Sequence, residues 1–219
     1  MSMESTLAVI QVAMAELAPE GVISTAALVG AHDAELSETE RRWVDGWGPH
    51  RRAEFATGRW CARHAMAQLG LSTGDLLADD EGLPQWPRGL AGCISHSRGL
   101  AAAIVARAEP ALLLGLDLEK TNRLSAGAIQ KVVHPLEQNF VAGDQVRASL
   151  LFSLKEAFYK AQFPRWRRPG NFHDMALTLD LTTGEARILR LDARFASDLL
   201  RLRFRFRLVD DYVVSLCWL

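Results

Sequence analysis

The chain has 219 residues, 49% of them hydrophobic, enough to bury one sizeable core or two small ones packed together. A formal net charge of −1 excludes a general nucleic-acid or membrane-surface binder, whose whole domain carries a basic excess, so any anion site must be local. Cys61, Cys93 and Cys217 are scattered and odd in number, which excludes a zinc motif and reads as reduced thiols in a cytoplasmic protein.

Along the chain, Glu4 precedes a short apolar stretch at residues 7–15 without the positive region of a secretory signal, so no export is expected. No apolar run reaches the roughly 18 residues a membrane span needs; residues 100–118 are broken by Arg107, Glu109 and Asp117. Ser37-Glu38-Thr39-Glu40 has the form of a capping box and predicts a helix that stops near Gly46-Trp47-Gly48-Pro49. Residues 50–69 are rich in helix formers and end at Gly70, predicting the longest helix of the first half. Residues 70–92 hold many glycines and prolines with an acidic run at Asp79 to Glu81, the pattern of an extended loop. Residues 101–106 and 112–118 are apolar runs of strand length, separated by a turn-like Ala108-Glu109-Pro110, and predict adjacent buried strands. Helical spacing returns over residues 123–161, where Leu150, Leu151, Leu154, Phe158 and Ala161 form an apolar stripe and Pro164 ends the helix. From Met175 the pattern alternates in strands at residues 176–181, 186–191, 199–209 and 212–218, with turns at Thr183-Gly184 and Asp210-Asp211. The fold class is therefore α+β, in two similar lobes that each combine helices with a small antiparallel sheet, residues 1–108 and 109–219.

Four groups of residues carry candidate chemistry. In Gly115-Leu116-Asp117-Leu118-Glu119 the strand period of two puts Asp117 and Glu119 on one face. Two carboxylates on an apolar strand either hold a hard cation such as Mg²⁺ or emerge hydrated at a strand end. Ser153, Glu156 and Lys160 share a helix face opposite the apolar stripe, which fits either an acid beside a cation in a site or, with Lys155, a solvated ion-paired face. Ile94-Ser95-His96-Ser97 runs into Arg98-Gly99, a strand entering a turn that can offer donors to phosphate or serve as an ordinary turn. Arg52, Arg59 and Arg63 fall within one stripe of the 50–69 helix, as an anion site or as snorkelling surface residues.

These elements, in this order, resemble the 4′-phosphopantetheinyl transferases of the surfactin-synthetase (Sfp-like) type, especially the enterobactin-synthase component (EntD-like) branch. The resemblance spans residues 40–165 and rests on Arg51-Arg52-Ala53-Glu54-Phe55-Ala56-Thr57-Gly58-Arg59, the Gly82 to Gly89 loop, Gly92-Cys93-Ile94-Ser95-His96-Ser97, the Gly115 to Glu119 segment, and Phe152-Ser153-Leu154-Lys155-Glu156-Ala157-Phe158-Tyr159-Lys160. It implies two lobes related by a pseudo-two-fold with coenzyme A in the cleft between them. It implies Mg²⁺ on Asp117, Glu119 and Glu156, Lys160 on the diphosphate, Ser95 and His96 on the nucleotide's phosphates, and Arg52 and Arg59 at the nucleotide end. Glu156 and Lys160 are then the catalytic residues, and an apo acyl or peptidyl carrier protein is the partner of what can be a monomer. The carrier serine attacks the β-phosphorus of coenzyme A and 3′,5′-ADP leaves, with either Glu156 or a water on the metal taking the proton. Siderophore or other secondary-metabolite synthesis is the implied setting. Leu83 stands where many members have a lysine, which passes that phosphate contact to Arg88 or removes it; Phe152 and Ala157 replace a common tryptophan and serine. Two other classes compete. One is a non-catalytic protein using the basic strand 199–209, with Arg201, Arg203, Arg205 and Arg207 along an RNA or an acidic partner, although a solvated edge strand protected by its arginines reads better. The other is a metal-dependent nucleotide phosphoester hydrolase.

Overall fold

The computed structural model describes residues 2–30, 32–71, 74–109 and 111–219, which fall into two units, Met1–Pro110 and Ala111–Leu219. In the first, the Ser2 side chain accepts from the Ser5 amide and opens α1 (Met3–Leu17), which buries Ile10, Ala13, Met14 and Leu17 and packs on β1 (Ile23–Leu28). The expected capping box opens α2 (Glu38–Trp43): Ser37 Oγ accepts from the Glu40 amide at 3.1 Å, and Glu40 accepts from the Ser37 amide at 3.0 Å. α3 (Pro49–Gln68) begins on a proline, whose missing N–H is no loss in a first turn. β2 (Leu90–Ser97) and β3 (Leu100–Arg107) complete an antiparallel sheet of order β1-β3-β2. Small residues on both sides let α3 lie close to it: Cys61, Ala62, Ala65 and Met66 pack with Ala27, Ala103 and Val105.

The second unit runs β4 (Leu114–Lys120), α4 (Ala126–Val132), α5 (Gln138–Val141), α6 (Gln145–Trp166), β5 (Met175–Asp180), β6 (Glu185–Leu191), β7 (Arg203–Val209) and β8 (Tyr212–Trp218). Its antiparallel sheet has the order β4-β8-β7-β6-β5, and α6 packs across β4 and β8. The apolar stripe read from the sequence is the core: Leu150, Leu151, Leu154, Phe158 and Ala161 meet Met175, Leu177, Phe204, Phe206 and Val213. Both units are antiparallel sheets with packed helices, the expected α+β class. Among the described residues no helix is long and apolar enough to cross a membrane, and Cys61, Cys93 and Cys217 are buried thiols outside any disulfide.

Several local expectations are corrected. The strands around residues 101–106 and 112–118 are not neighbours: β3 is the centre of one sheet and β4 the edge of the other, and Pro110 of the intervening turn lies outside the described residues. Pro164 does not end α6, which continues to Trp166. The proline gives up its own N–H bond and crowds the carbonyl four residues back, yet the two residues after it keep helical geometry. The predicted strand 199–209 starts late, because residues Ser197–Arg201 form a 3-10 turn. Most consequentially, β7 is not an edge strand but lies between β8 and β6.

Candidate active site

In the second unit the site is built by close contact between β4 and α6. Asp117 and Glu119 alternate with Leu116 and Leu118, and Gly115 shares their face. A Cβ on Gly115 would lie 1.9 Å from the Ala157 carbonyl oxygen and 3.1 Å from the Ala161 Cβ, so the absence of a side chain there lets the strand and helix touch. Glu156 precedes Ala157, and one turn on Lys160 donates to Asp117 Oδ1 at 2.7 Å. Ser149 Oγ ties the other end of the contact to the Thr121 carbonyl at 2.8 Å. Asp117 and Glu119 are buried, while Glu156 and Lys160 are half-exposed.

The acids share one electrostatic field. Burial raises the Glu156 pKa above the usual carboxylate value, the Asp117 charge adds to this, Lys160 opposes it, and Glu119 raises it further. Glu119 accepts from the Lys120 amide at 2.7 Å and faces Arg123 at 3.3 Å. With Asp117 turned to Lys160 and Glu119 to Arg123, no three His, Cys, Asp or Glu side chains among the described residues converge as a ready-made metal cage. The donor chemistry nonetheless fits a hard divalent cation, being three carboxylates and no nitrogen or sulfur, with mutual repulsion that such a cation relieves.

Lys155 is not part of a solvated face. It is 3% exposed, and its three N–H bonds go to Glu137 Oε2 at 2.7 Å, the Val132 carbonyl at 2.9 Å and the Phe172 carbonyl at 3.0 Å. Glu137 in turn accepts from the His134 amide at 2.8 Å and the Leu177 amide at 2.7 Å. Burial lowers the Lys155 pKa, and the Glu137 charge pulls it back. The pair fixes the rotation of α6, so that Glu156 is presented to β4.

In the first unit the three arginines of α3 do not converge on one anion site. Arg52 pairs with Asp33 at 2.8 Å, and Arg63 is bidentate to buried Glu40 at 3.0 and 2.7 Å. Arg59 donates to the Leu76 carbonyl at 2.8 Å and lies over the Phe55 ring; burial lowers its pKa to about 10 against the attraction of Glu40. Arg59 and His96 nonetheless line one cavity of about 490 Å³ together with Trp47, Arg51 and the acidic Asp79 turn, whereas Ser95, Arg52 and Arg88 lie outside its lining. Ser95 is buried on β2, Arg88 is exposed before it, and both Ser95 and His96 sit within the strand, the turn being Arg98-Gly99 with φ of 45° and 90°. Glu54, which also lines this cavity, is not singled out by the sequence. It stands 3.3 Å from His96 Nδ1 and 3.5 Å from His50 Nδ1, and the i,i+4 spacing of His50 and Glu54 was its only signal.

Residues 39–106 match the 4′-phosphopantetheinyl transferase N-terminal domain family, and residues 113–217 match the 4′-phosphopantetheinyl transferase superfamily. The chain is 36% identical over 180 residues to the 4′-phosphopantetheinyl transferase Svp of Streptomyces mobaraensis, covering 78% of this chain and 73% of that one. The chain belongs to the 4′-phosphopantetheinyl transferase superfamily and is an enzyme of that type. It is also 36% identical over 134 residues to PptT of Mycobacterium tuberculosis, 59% of each chain. With enterobactin synthase component D of Salmonella typhimurium it is 33% identical over 129 residues, 56% of this chain and about half, 53%, of that one.

Proposed function

We propose that the chain transfers the 4′-phosphopantetheine arm of coenzyme A to a serine of an apo acyl or peptidyl carrier protein, releasing 3′,5′-ADP, in a magnesium-dependent reaction. The observation that carries this reading is the cluster of Asp117, Glu119, Glu156 and Lys160 in the half of the chain that matches the superfamily. Asp117, Glu119 and Glu156 would hold the magnesium ion, which when bound neutralises charge on the diphosphate. The rest of the work falls to positioning and to the chain's own charges. The serine oxygen bonds to the β-phosphorus as the bond from that phosphorus to 3′,5′-ADP breaks. Glu156 is the candidate acceptor of the serine proton, its pKa raised by burial and by Asp117. Lys160, paired with Asp117 in the resting protein, offsets charge on the departing phosphate oxygens.

His96, oriented by Glu54, takes the 3′-phosphate, with Arg51 and Arg59 at the same cavity supplying charge to the nucleotide end. Ser95, Arg52 and Arg88 act around them in this reading. Similarity to enterobactin synthase component D favours siderophore or other secondary-metabolite synthesis. In this reading the enzyme works as a cytoplasmic monomer. Asp117→Ala and Glu156→Ala are expected to abolish transfer to an apo carrier protein while keeping the wild-type circular dichroism spectrum. Near-wild-type turnover in either would overturn the assignment.

A further inference from the structure

The basic strand has a place in the sheet that the transferase reading does not use. β7 and β6 pair only at Glu185 opposite Arg205 and Ala186 opposite Phe204. One step further, the register would set Arg187 directly opposite Arg203, and there the pairing ends. Like charges facing each other across a ladder repel, and the strands part at that point. They leave a notch of about 450 Å³ whose walls include Arg187, Arg201, Arg203 and Arg205, with Trp218 beside them. Arg187, Arg201 and Arg203 are exposed, and among the described residues none of the three is in an ion pair. Arg205 shows what the walls accept: it faces the Glu185 carboxylate at 3.8 Å and lies 5.7 Å from the Trp218 ring centre.

We infer that this notch and the β7 face beside it bind an acidic polypeptide segment in extended form. Arg203, Arg205 and Arg207 repeat every second residue, about 7 Å apart on a strand. That spacing equals the spacing of acidic side chains on one face of an extended chain, and an exposed guanidinium such as that of Arg203 can grip a carboxylate with two N–H groups. Nucleic acid fits less well, because base stacking needs exposed aromatic rings. Phe204 and Phe206 are 2% and 5% exposed and point into the core on the opposite face, while Trp218 lies beside Arg205. The chain's net charge of −1 makes the attraction local to this patch.

The test is fluorescence anisotropy of the full-length protein with a labelled octapeptide alternating Asp and Ser, its Asn-for-Asp counterpart, and a labelled single-stranded oligothymidine. Binding of the Asp peptide that weakens as salt rises, at least tenfold tighter than the Asn peptide, is expected. Arg203→Glu should remove at least tenfold of that affinity, and Arg187→Ser, a milder change at an exposed site, should remove severalfold. The inference is overturned if the Asp and Asn peptides bind alike, if both variants bind as wild type, or if oligothymidine binds as tightly as the Asp peptide. The readout does not depend on phosphopantetheine transfer, so it succeeds or fails separately from the transferase reading.

Discussion

Gly115→Ala adds one methyl group where strand and helix touch. The new Cβ would start 1.9 Å from the Ala157 carbonyl oxygen, so β4 and α6 must separate by about 1.1 Å to reach even 3.0 Å, a contact still tighter than ordinary packing. The obstacle is helix backbone, which no rotamer change can clear. Overpacking of this kind costs about 1–3 kcal/mol, and rigid backbone on one side puts this site near the upper end. For a protein of this size, about 3 kcal/mol lowers Tm by roughly 6–12 °C. The larger effect is expected on activity. Asp117 lies two residues from Gly115 and Glu156 adjoins Ala157, so the separation opens the acid cluster, and a misplacement of about 1 Å can cost on the order of 10²-fold in rate. Differential scanning calorimetry and a carrier-modification assay read the two effects. A Gly115→Ala protein with wild-type Tm and wild-type turnover would refute the claim that this contact assembles the site.

Other consequences concern single side chains. Because the folded-state pKa of Glu156 lies above its ordinary value of 4.5, the metal-free protein loses stability as pH rises through that folded pKa. Glu156→Gln should therefore melt higher than wild type at neutral pH in chelator, with the difference vanishing below pH 4.5; equal melting at both pH values would contradict this. Lys155→Ala strands the buried Glu137 carboxylate and should cost about 3–5 kcal/mol in urea titration, whereas a surface lysine would cost almost nothing. Glu54→Gln, by loosening His96, should raise KM for coenzyme A severalfold with kcat nearly unchanged, and leave KM for dephospho-coenzyme A unaltered.

Much of the geometry of the candidate site is legible because its signals are local. The alternation that puts Asp117 and Glu119 on one strand face, and the i,i+4 step from Glu156 to Lys160, need only the periods of strand and helix. What was not legible depends on pairing between distant segments. Lys155 reads as surface from its charge, and only its three partners, brought in by α4, the 3-10 turn at Pro135–Glu137 and the turn before β5, explain its burial. The arginines of α3 look like one anion stripe because spacing places them together, yet Asp33, Leu76 and Glu40 each claim one. β7 carries the arginines of an edge strand but sits inside the sheet, since strand order follows from tertiary pairing and not from any single strand's composition. The helix α1 is not legible because its apolar stretch is short and interrupted by Gln11, whose side chain instead donates to the Ala26 carbonyl at 2.9 Å and ties the helix to β1.

The central claim, that three carboxylates and Lys160 serve metal-dependent transfer of an arm to a protein serine, is tested most directly by intact mass measurement of an apo carrier protein incubated with this enzyme and coenzyme A. The account predicts a mass gain of one phosphopantetheine arm in the presence of Mg²⁺ and none in excess chelator. Release of 3′,5′-ADP with no gain on the carrier, or full modification in chelator, would contradict it.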